Sequence, residues 1–535
     1  MGLESTDTTA ATRPQRQSRG AAFLVAAGIF LSRIAGLVRE AVFSHYFGNS
    51  DAADAFRQAL RIPNFLQNLF GEGVLAASFI PVYAGLLARH KNETEEEAGR
   101  VAGAVFGILA LVTSALVLAG VYATPWLIFA IAPGYHGAKR ELTISLVRIL
   151  FPGAGILVLS AWCLGILNSH RRFFLSYSVG VLWNIAMIAA LLWFGPRSGQ
   201  DRLAKIVAWA SVVGSAAMFF AQLPVVLKLV PKLRIRLETH LESVRIVIRN
   251  FGPVFVSRGV VQLSAYVDSI IASILPSGAA SALSNAQTIY LLPVSLFGMS
   301  VSASELPEMS RAVGADSNFA VQLRSRLVNG LRNIAFLVIP SVVAFMALGD
   351  IIAGAIYQSG RFTHADTVWE WGILAGSGVG LLASTQGRLY SSAFYALKDT
   401  RTPLRFAIVR ISLTTILGYL CAIPLPPLIG IAPKWGVAGL TASAGVSGWV
   451  EFLLLRRSLG RRIGSERVGV SYLSRLWVAA ILAAAVAFAI KLRLPIALHP
   501  KLVAVIVLAP YGLLYLLLAE GRNVRSRVRA LMRRR

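Results

Sequence analysis

Long apolar blocks with almost no charge recur along this chain of 535 residues and constrain its fold more than any other feature. Residues 101–125, 146–167 and 476–490 are examples. At about 1.5 Å per residue, an apolar helix of about 20 residues crosses a hydrocarbon core of about 30 Å. Helices fit these blocks because backbone groups in lipid must be satisfied within the segment. The sequence therefore predicts an all-α polytopic membrane protein.

Fourteen spans account for the blocks. They cover residues 20–46, 55–88, 100–132, 141–168, 173–195, 203–228, 247–275, 280–306, 325–349, 367–396, 403–425, 435–456, 473–491 and 501–519. Cys163 and Cys421 both lie inside spans and are expected to be packing residues. The seven histidines show no metal-ligand spacing.

The net charge of +27 is compatible either with binding to nucleic acid or with a membrane protein that concentrates basic residues on one side. Lys and Arg gather at 228–249, 456–475 and 522–535, on the side that both termini share. Connections on the other side, such as 48–51 and 276–280, are short and nearly uncharged. This asymmetry predicts cytoplasmic termini and a basic tail that meets lipid headgroups, and it makes nucleic acid an unexpected partner.

An internal repeat relates two parts of the chain. Phe30–Arg33 in the first span resembles Phe255–Arg258 in the seventh, and Leu69–Gly71 in the second resembles Leu296–Gly298 in the eighth. Six spans separate the copies, so both have the same orientation across the membrane. The repeat predicts two six-helix halves related by an axis along the membrane normal, with a cavity between them.

The predicted organisation follows from the spans and the repeat. It comprises a cytoplasmic tail (1–19), a first lobe (20–228), a basic cytoplasmic linker (229–246), a second lobe (247–456), two additional spans (457–519) and a basic tail (520–535). Proline and glycine interrupt matching spans of the two halves, at Pro63 with Gly71 and Gly73, and at Pro293 with Gly298. Broken helices at matching positions are typical of the moving or binding parts of a transporter.

Charged residues inside the first two spans are the strongest sign of function. A charge at the bilayer centre costs about 2.5–3.5 kcal/mol even on lenient scales, so these residues need a polar cavity or one another. They are Arg33, Arg39, Glu40, Asp54, Arg57, Arg61 and Glu72.

A cationic cavity that binds phosphates through arginine is the functional interpretation of these charges. The structural alternative is snorkelling near helix ends, or ion pairs such as Arg39 with Asp54. Arg258 and Asp268 place opposite charges in the seventh span, ten residues apart. Each of these two therefore needs a partner elsewhere.

A catalytic residue set is not evident. No Ser-His-Asp set or glycine-rich nucleotide loop stands out, and the loops are too short for a nucleotide-binding domain. We therefore expect a carrier and not an enzyme, without an organic cofactor. Its energy source is expected to be an ion gradient or the membrane potential.

The chain resembles the MurJ (MviN) family of lipid II flippases, within the multidrug/oligosaccharidyl-lipid/polysaccharide exporter superfamily, from about Ala22 to Ala519. The motifs that carry the resemblance are Ser32-Arg33…Gly36…Arg39-Glu40, Asp54-Ala-Phe56, Ile62-Pro-Asn64, Phe70-Gly-Glu-Gly73, Phe79-Ile-Pro81, Ala132-Pro-Gly134, Ile166-Leu-Asn168…Arg172-Phe173, Gly360-Arg-Phe-Thr363 and Phe394-Tyr-Ala396…Asp399-Thr-Arg-Thr-Pro403. Each motif is weak alone, but their number, order and spacing are specific.

The resemblance implies fourteen helices in an inward-facing V, alternating access, and lipid II as the cargo in a bacterial inner membrane. Lipid II is an undecaprenyl-pyrophosphate-linked muropeptide used for peptidoglycan, so cell-wall synthesis machinery is an expected partner besides membrane lipids. The resemblance places Arg33, Arg39 and Asp54 at the pyrophosphate, and Arg61, Glu72 and Arg258 are further candidates for substrate binding. A sodium site of some members maps onto Asp268, Asp399 and Thr415.

Two positions depart from the family pattern. Gln67 and Thr288 stand where many members have arginine. Arg258 or Arg61 is expected to replace the lost charge from a different helix. The departures keep an alternative open, in which the chain exports another polyprenyl-linked saccharide or a drug. A membrane glycosyltransferase is disfavoured because it would need acidic residues in a sizeable outer loop.

Overall fold

The computed structural model describes residues 13–88, 92–315, 319–464, 468–495 and 498–520. Within these ranges the side chains of 13–27, 29, 72, 92–95, 253–254, 256–265 and 312–315 are outside the description. All regular secondary structure in the described residues is helical. The all-α prediction is therefore confirmed.

The helices follow one another with short connections. They are α1 (Arg13–Phe47), α2 (Asp51–Phe70), α3 (Glu72–Ser78), α4 (Ile80–Leu87), α5 (Asn92–Ile131), α6 (Gly137–Ser169), α7 (Phe173–Ser178), α8 (Gly180–Phe194), α9 (Gln200–Leu229), α10 (Glu242–Ile274), α11 (Ala279–Pro293), α12 (Ser300–Ala315), α13 (Phe319–Ala347), α14 (Gly349–Tyr357), α15 (His364–Ala396), α16 (Arg401–Ala422), α17 (Leu425–Leu428), α18 (Gly436–Ile463), α19 (Val470–Arg493) and α20 (Pro500–Glu520). A π-helical segment, Val294–Met299, joins α11 to α12.

Each of the fourteen predicted spans overlaps one helix or one group of broken helices. In the part of the chain that the structure describes, 11 helical stretches are long and apolar enough to cross a membrane. The long helices α1, α10 and α15 overlap the other three predicted spans. The count of fourteen is therefore approximate, while the polytopic membrane architecture is confirmed.

The predicted breaks in the second and eighth spans are largely confirmed. Helix α2 ends at Phe70, and α3 begins after Gly71. A Cβ atom at Gly71 would clash with the carbonyl oxygen of Gln67, so the chain turns at this glycine. In the other half, the π-helical segment begins directly after Pro293 and contains Gly298. Pro63 and Gly73, in contrast, lie inside α2 and α3 and do not interrupt these helices.

The chain divides into two compact units. Unit 1 contains the described residues up to Tyr266 except 48–50, and unit 2 contains 48–50 and the residues from Val267 onward. This division falls within α10, after the predicted linker 229–246. The boundaries of the predicted lobes, and their arrangement, stay predictions. Residues 1–12 of the predicted first tail and 521–535 of the basic tail lie outside the described residues.

Unit 1 has two hydrophobic clusters. One surrounds Phe43, Phe56 and Leu146, and the other surrounds Leu75 and Trp162. The indole of Trp162 in α6 donates a hydrogen bond to the Ala102 carbonyl in α5, at 3.1 Å. The large ring is therefore buried without an unsatisfied hydrogen-bond donor.

An extended segment of unit 1 lies along α5. This strap, 230–241, passes Gly99 and Gly103, where an added Cβ atom would meet the carbonyl oxygens of Lys232 and Arg234. The Arg100 guanidinium binds the Glu238 carboxylate at its far end, with Nε to Oε2 at 2.8 Å. Glycines at every fourth position thus make a furrow on α5 that accepts backbone.

Unit 2 is built around α15, which packs against α13 and α18. At the crossing of α15 and α18 the two backbones touch, because Gly380 and Gly445 face each other and neither has room for a Cβ atom. Helices α19 and α20 pair with each other and pack on α13 and α14. Lys491 of α19 forms an ion pair with Asp350 of α14 at 2.5 Å.

Two tyrosines of α20 attach it to α13 by hydrogen bonds. Pro340 has no N–H, so it leaves the carbonyl of Phe336 without its usual helical donor. The Tyr515 hydroxyl donates to that carbonyl at 2.6 Å. The Tyr511 hydroxyl donates to the Pro340 carbonyl, also at 2.6 Å. The proline in α13 and the tyrosines in α20 therefore work as a matched set.

Replacing Tyr515 by Phe is expected to destabilise the protein. The substitution leaves the Phe336 carbonyl without a donor in a buried, apolar setting, at a cost of about 1–2 kcal/mol. Thermal unfolding of the purified protein in detergent measures this loss. Tyr419→Phe on the exposed face of α16 is the matched control, and an equal effect of both substitutions would contradict the role of the hydrogen bond.

Candidate functional site

A buried cluster of charges lies in unit 1. Arg39 and Glu40 come from α1, and Arg57 comes from α2. The two carboxylate oxygens of Glu40 form ion pairs with Arg39 and Arg57, one with each. The Glu40 and Arg57 side chains are only 6% and 8% exposed, so these two are isolated from solvent, while Arg39 is 16% exposed.

Helix α8 completes the cluster on the Arg39 side. Nη1 of Arg39 donates a hydrogen bond to Oδ1 of Asn184 at 3.1 Å. Its guanidinium also lies over the Trp183 ring, 4.6 Å from the centroid. The Trp183 indole in turn donates to the Ser211 hydroxyl at 3.0 Å, which fixes the ring. Arg39 is thus held by ionic, hydrogen-bonding and cation–π contacts at once.

The cluster carries a net charge of about +1, because two guanidinium groups oppose one carboxylate. Arg57 also stacks on Phe43, 4.5 Å from the ring centroid. Arg39 lies eight residues before the end of α1, which corresponds to roughly 12 Å along the helix. An anion that reaches Arg39 would compete with Glu40 for the same guanidinium group.

Asp54 belongs to a separate ion pair. Its Oδ2 lies 2.7 Å from Nζ of Lys139 in α6, and the Asp54 side chain is 2% exposed. Lys139 also lies over the Tyr135 ring, at 4.4 Å. The sequence left an ion pair between Arg39 and Asp54 open as an alternative. That alternative is wrong. The carboxylate partner of Arg39 is its own neighbour, Glu40.

Arg33 differs from the buried arginines because its side chain is exposed. Among the described residues it has no hydrogen-bond or ion-pair partner. It lies 14 residues before the end of α1, which corresponds to roughly 21 Å. An exposed guanidinium at that depth needs water or an anion, because hydrocarbon does not solvate charge.

The remaining predicted substrate residues are placed as follows. Arg61 is half-buried in α2, and its backbone carbonyl accepts a hydrogen bond from the Tyr266 hydroxyl at 2.8 Å. The side chains of Glu72 and Arg258 lie outside the described residues. Their predicted roles, including replacement of a lost arginine by Arg258, stay predictions.

The structure does not bring the three predicted sodium ligands together. Asp399 lies just before α16, where it accepts hydrogen bonds from Thr402 and forms an ion pair with Arg462 at 2.7 Å. Thr415 lies in the second half of α16, roughly 24 Å further along, and its hydroxyl donates to the Ile411 carbonyl at 2.9 Å. Asp268 belongs to α10. The described residues contain no group of three or more His, Cys, Asp or Glu side chains that could hold a metal ion.

Sequence reasoning missed two polar residues, one that contacts the Arg39 cluster and one that pairs with Asp54. Asn184 is an amide in an otherwise apolar span, and Lys139 lies just before the predicted start of the fourth span. A lone amide or lysine at such a position was a usable signal, because a buried polar group requires a partner. Sequence alone could not tell which partner each would meet.

Comparisons with known proteins identify the relatives of this chain. A family model described as lipid II flippase MurJ matches residues 43–507. The lipid II flippase MurJ of Burkholderia cenocepacia is 32% identical over 440 residues, which cover 81% of this chain and 82% of the relative. A protein from Rhizobium meliloti described as a probable lipid II flippase MurJ is 31% identical over 466 residues, or 85% of this chain and 83% of the relative.

Solved structures show the same fold. A lipid II flippase MurJ in an inward closed conformation has a TM-score of 0.76 and 24% identity, covering 95% of this chain and 100% of that chain. An inward-facing multidrug resistance MATE family transporter of the MOP superfamily has a TM-score of 0.64 and 17% identity, covering 82% and 98%. At these identities the likeness is one of fold.

Replacing Glu40 by Gln is expected to destabilise the protein strongly. It leaves two buried guanidinium groups without a counter-charge, and breaking one side of a buried ion pair costs about 3–5 kcal/mol. Chemical unfolding in detergent measures the loss. The double variant Glu40→Gln/Arg57→Gln is expected to lose less than the sum of its single variants, and strict additivity would show that the pair is not coupled.

The carboxyl group of Asp399 predicts a pH-dependent contribution to stability. Hydrogen bonds from Thr402, together with the Arg462 charge, lower the pKa of Asp399 from 3.8 to about 2. A lowered pKa means that the stabilisation is present above about pH 4 and is lost as the pH falls toward 2. Asp399→Asn should therefore lower the unfolding temperature at pH 7, and the difference should shrink at pH 3. The same substitution at the exposed Asp201 is the control, and a difference that does not vary with pH would contradict the assignment.

Proposed function

The chain belongs to the lipid II flippase MurJ family, and from this premise we propose that it carries lipid II from the cytoplasmic to the periplasmic leaflet by alternating access. The observation that carries the proposal is the family match across residues 43–507, which includes most of both compact units. Lipid II and the surrounding membrane lipids are its partners, and the transport serves peptidoglycan synthesis.

The exposed Arg33 in α1 is the residue we propose as a direct contact for the pyrophosphate. Phosphate oxygens are acceptors that suit the forked donors of arginine. Arg39 is already engaged by Glu40, Asn184 and Trp183, so we propose that it contributes mainly by positioning and by the positive potential of its cluster. Asp54 holds Lys139, and its proposed contribution is to fix α2 against α6.

The orientation of the chain is proposed from the distribution of basic residues. The strap between α9 and α10 carries exposed basic side chains at Lys232, Arg234 and Arg236. The connection 48–50, on the opposite side, has none. By the positive-inside rule the strap and both termini face the cytoplasm. The proposed location is a bacterial inner membrane.

The mode of action is proposed as transport without covalent chemistry. The family is one of flippases, and the charged clusters of unit 1 are occupied by partners that stabilise the fold. We propose the membrane potential or a cation gradient as the energy source. Because Asp399 is committed to Thr402 and Arg462, a coupling cation would bind elsewhere than at this carboxylate. Proximity to cell-wall synthesis enzymes is proposed from the chemistry of the cargo alone.

Arg33→Ala is expected to abolish rescue of a strain depleted of its lipid II flippase, while the protein level stays normal. Arg202→Ala, an exposed arginine at the start of α9, is the matched control and is expected to rescue growth. Lipid II should accumulate in the inner leaflet of cells that carry the Arg33 variant. Full rescue by Arg33→Ala would contradict the assigned contact.

The same cells test the function itself. If the unaltered chain fails to restore lipid II topology, the proposed cargo is wrong. Export of another polyprenyl-linked saccharide would then be the alternative, and the departures at Gln67 and Thr288 give a specific reason to test it.

A further inference from the structure

The connection between α16 and α18 exposes apolar side chains where a loop in water would expose polar ones. It contains the short helix α17, and residues 411–433 include no charged side chain. Leu428 and Ile429 are 80% and 58% exposed. Leu425 and Ile431 are exposed as well. An exposed apolar patch of this kind indicates a surface that is covered by something other than water.

The backbone of this turn makes its hydrogen bonds internally. Three of the residues 424–427 are prolines, which have no N–H group to satisfy. The N–H groups of residues 428–431 all donate to carbonyls of residues 424–427, at 2.9–3.4 Å. The bonds from Gly430 and Ile431 form a Schellman motif, in which Gly430 has the positive φ of 73° that the motif requires. These groups need no water, which is the condition for placing backbone inside a bilayer.

Contacts with α15 fix the depth at which the turn ends. The Trp369 indole, five residues inside α15, donates to the Lys434 carbonyl at 2.9 Å. The Trp435 ring fills the space at Gly372, eight residues inside α15, where a Cβ atom would clash with it. These contacts lie roughly 8 and 12 Å from the beginning of α15. The turn therefore rejoins the helices below the end of α15, and its Trp and Lys residues are those that favour a membrane interface.

The exposed apolar surface of the turn continues that of α16. This helix is long and apolar enough to cross a membrane, and only 6% of its most apolar stretch is buried inside the protein. In its last two turns Ile416, Tyr419 and Leu420 are each about half exposed. Acyl chains that cover this face of α16 would reach Leu425 at the beginning of α17 without meeting a charged side chain.

We propose that the turn 424–433 is embedded in the acyl-chain region of the bilayer, where phospholipid tails cover Leu425, Leu428 and Ile429. In the orientation proposed above, these are tails of the outer leaflet. A protein partner would need hydrogen-bonding groups around an apolar centre. Residues 423–433 have no polar side chain to offer, and the N–H groups of residues 428–431 are already used.

An embedded turn would hold the neighbouring ends of α16 and α18 at a fixed depth. Withdrawal into water would expose several apolar side chains at once, which the hydrophobic effect opposes. The turn would thus work as an anchor of unit 2 in one leaflet. The depth of the turn does not depend on the cargo, whereas any part of this anchor in transport rests on the proposed function.

Spin labelling of the full-length chain in liposomes of phosphatidylethanolamine and phosphatidylglycerol tests the depth. Cys163→Ala and Cys421→Ala remove the two native thiols, and Leu428→Cys then carries the label. The label should be accessible to oxygen, and its accessibility to a water-soluble nickel chelate should be several-fold lower than at Ser359→Cys. Ser359 is the matched control because it lies exposed in the polar connection just before α15, on the same side. Val505→Cys, an exposed apolar position in α20, is the reference for lipid contact.

A second labelled position makes the test independent of one variant. Ile429→Cys should give the same result as Leu428→Cys, and it replaces that variant if Leu428→Cys does not fold. Labels at both positions that are as accessible to the nickel chelate as Ser359→Cys would overturn the proposal and assign the turn to a partner in the aqueous phase. Because the measurement reports depth and not transport, a wrong cargo would leave its result unchanged.

Discussion

Hydrocarbon offers no hydrogen bonds and no solvation of charge, and this constraint governs how the chain is assembled. Each unit answers it with partners drawn from other helices. In unit 1, Glu40 pairs with Arg57 and Arg39, and Lys139 pairs with Asp54. In unit 2, Lys491 meets Asp350, and Tyr515 supplies the donor that Pro340 withholds from Phe336. The polar residues therefore specify which helices must be neighbours. The apolar residues contribute buried contact area but select little among neighbouring helices.

Charged side chains that stabilise the fold can therefore be distinguished from charged side chains that are available to a ligand. The buried arginines have carboxylate, amide and aromatic partners, so an incoming anion would have to displace them. Arg33 in unit 1 is exposed, and it has no hydrogen-bond or ion-pair partner among the described residues. Depth in the membrane alone does not identify a binding arginine. Arg33 and Arg39, six residues apart on one helix, differ in whether side chains of the described residues engage the guanidinium group.

Much of the fold could be predicted because its signals are local. Apolar length gave the spans, and glycine and proline gave the breaks at Gly71 and Pro293, where the backbone itself is constrained. Pro63 shows the limit, since α2 continues through this proline without a break. The pairing of charges was less predictable. Arg39 and Asp54 are plausible partners by sequence, but which carboxylate meets which guanidinium depends on how helices rotate against one another. The sodium set could not be checked by sequence for a related reason, because Asp399 precedes α16 whereas Thr415 lies well inside this helix.

The furrow on α5 shows that a small-residue motif does not always mark an interface between two copies of a protein. Glycines spaced four residues apart in an apolar helix are usually taken as the signature of helix dimerisation in membranes. Here Gly99 and Gly103 receive the chain's own strap, with the Arg100–Glu238 ion pair at its far end. The strap already covers that face of α5, so a second protein cannot dock there without first displacing residues 230–241. Any self-association of this protein would have to use a different surface, and a search for small-residue motifs would point to the wrong one.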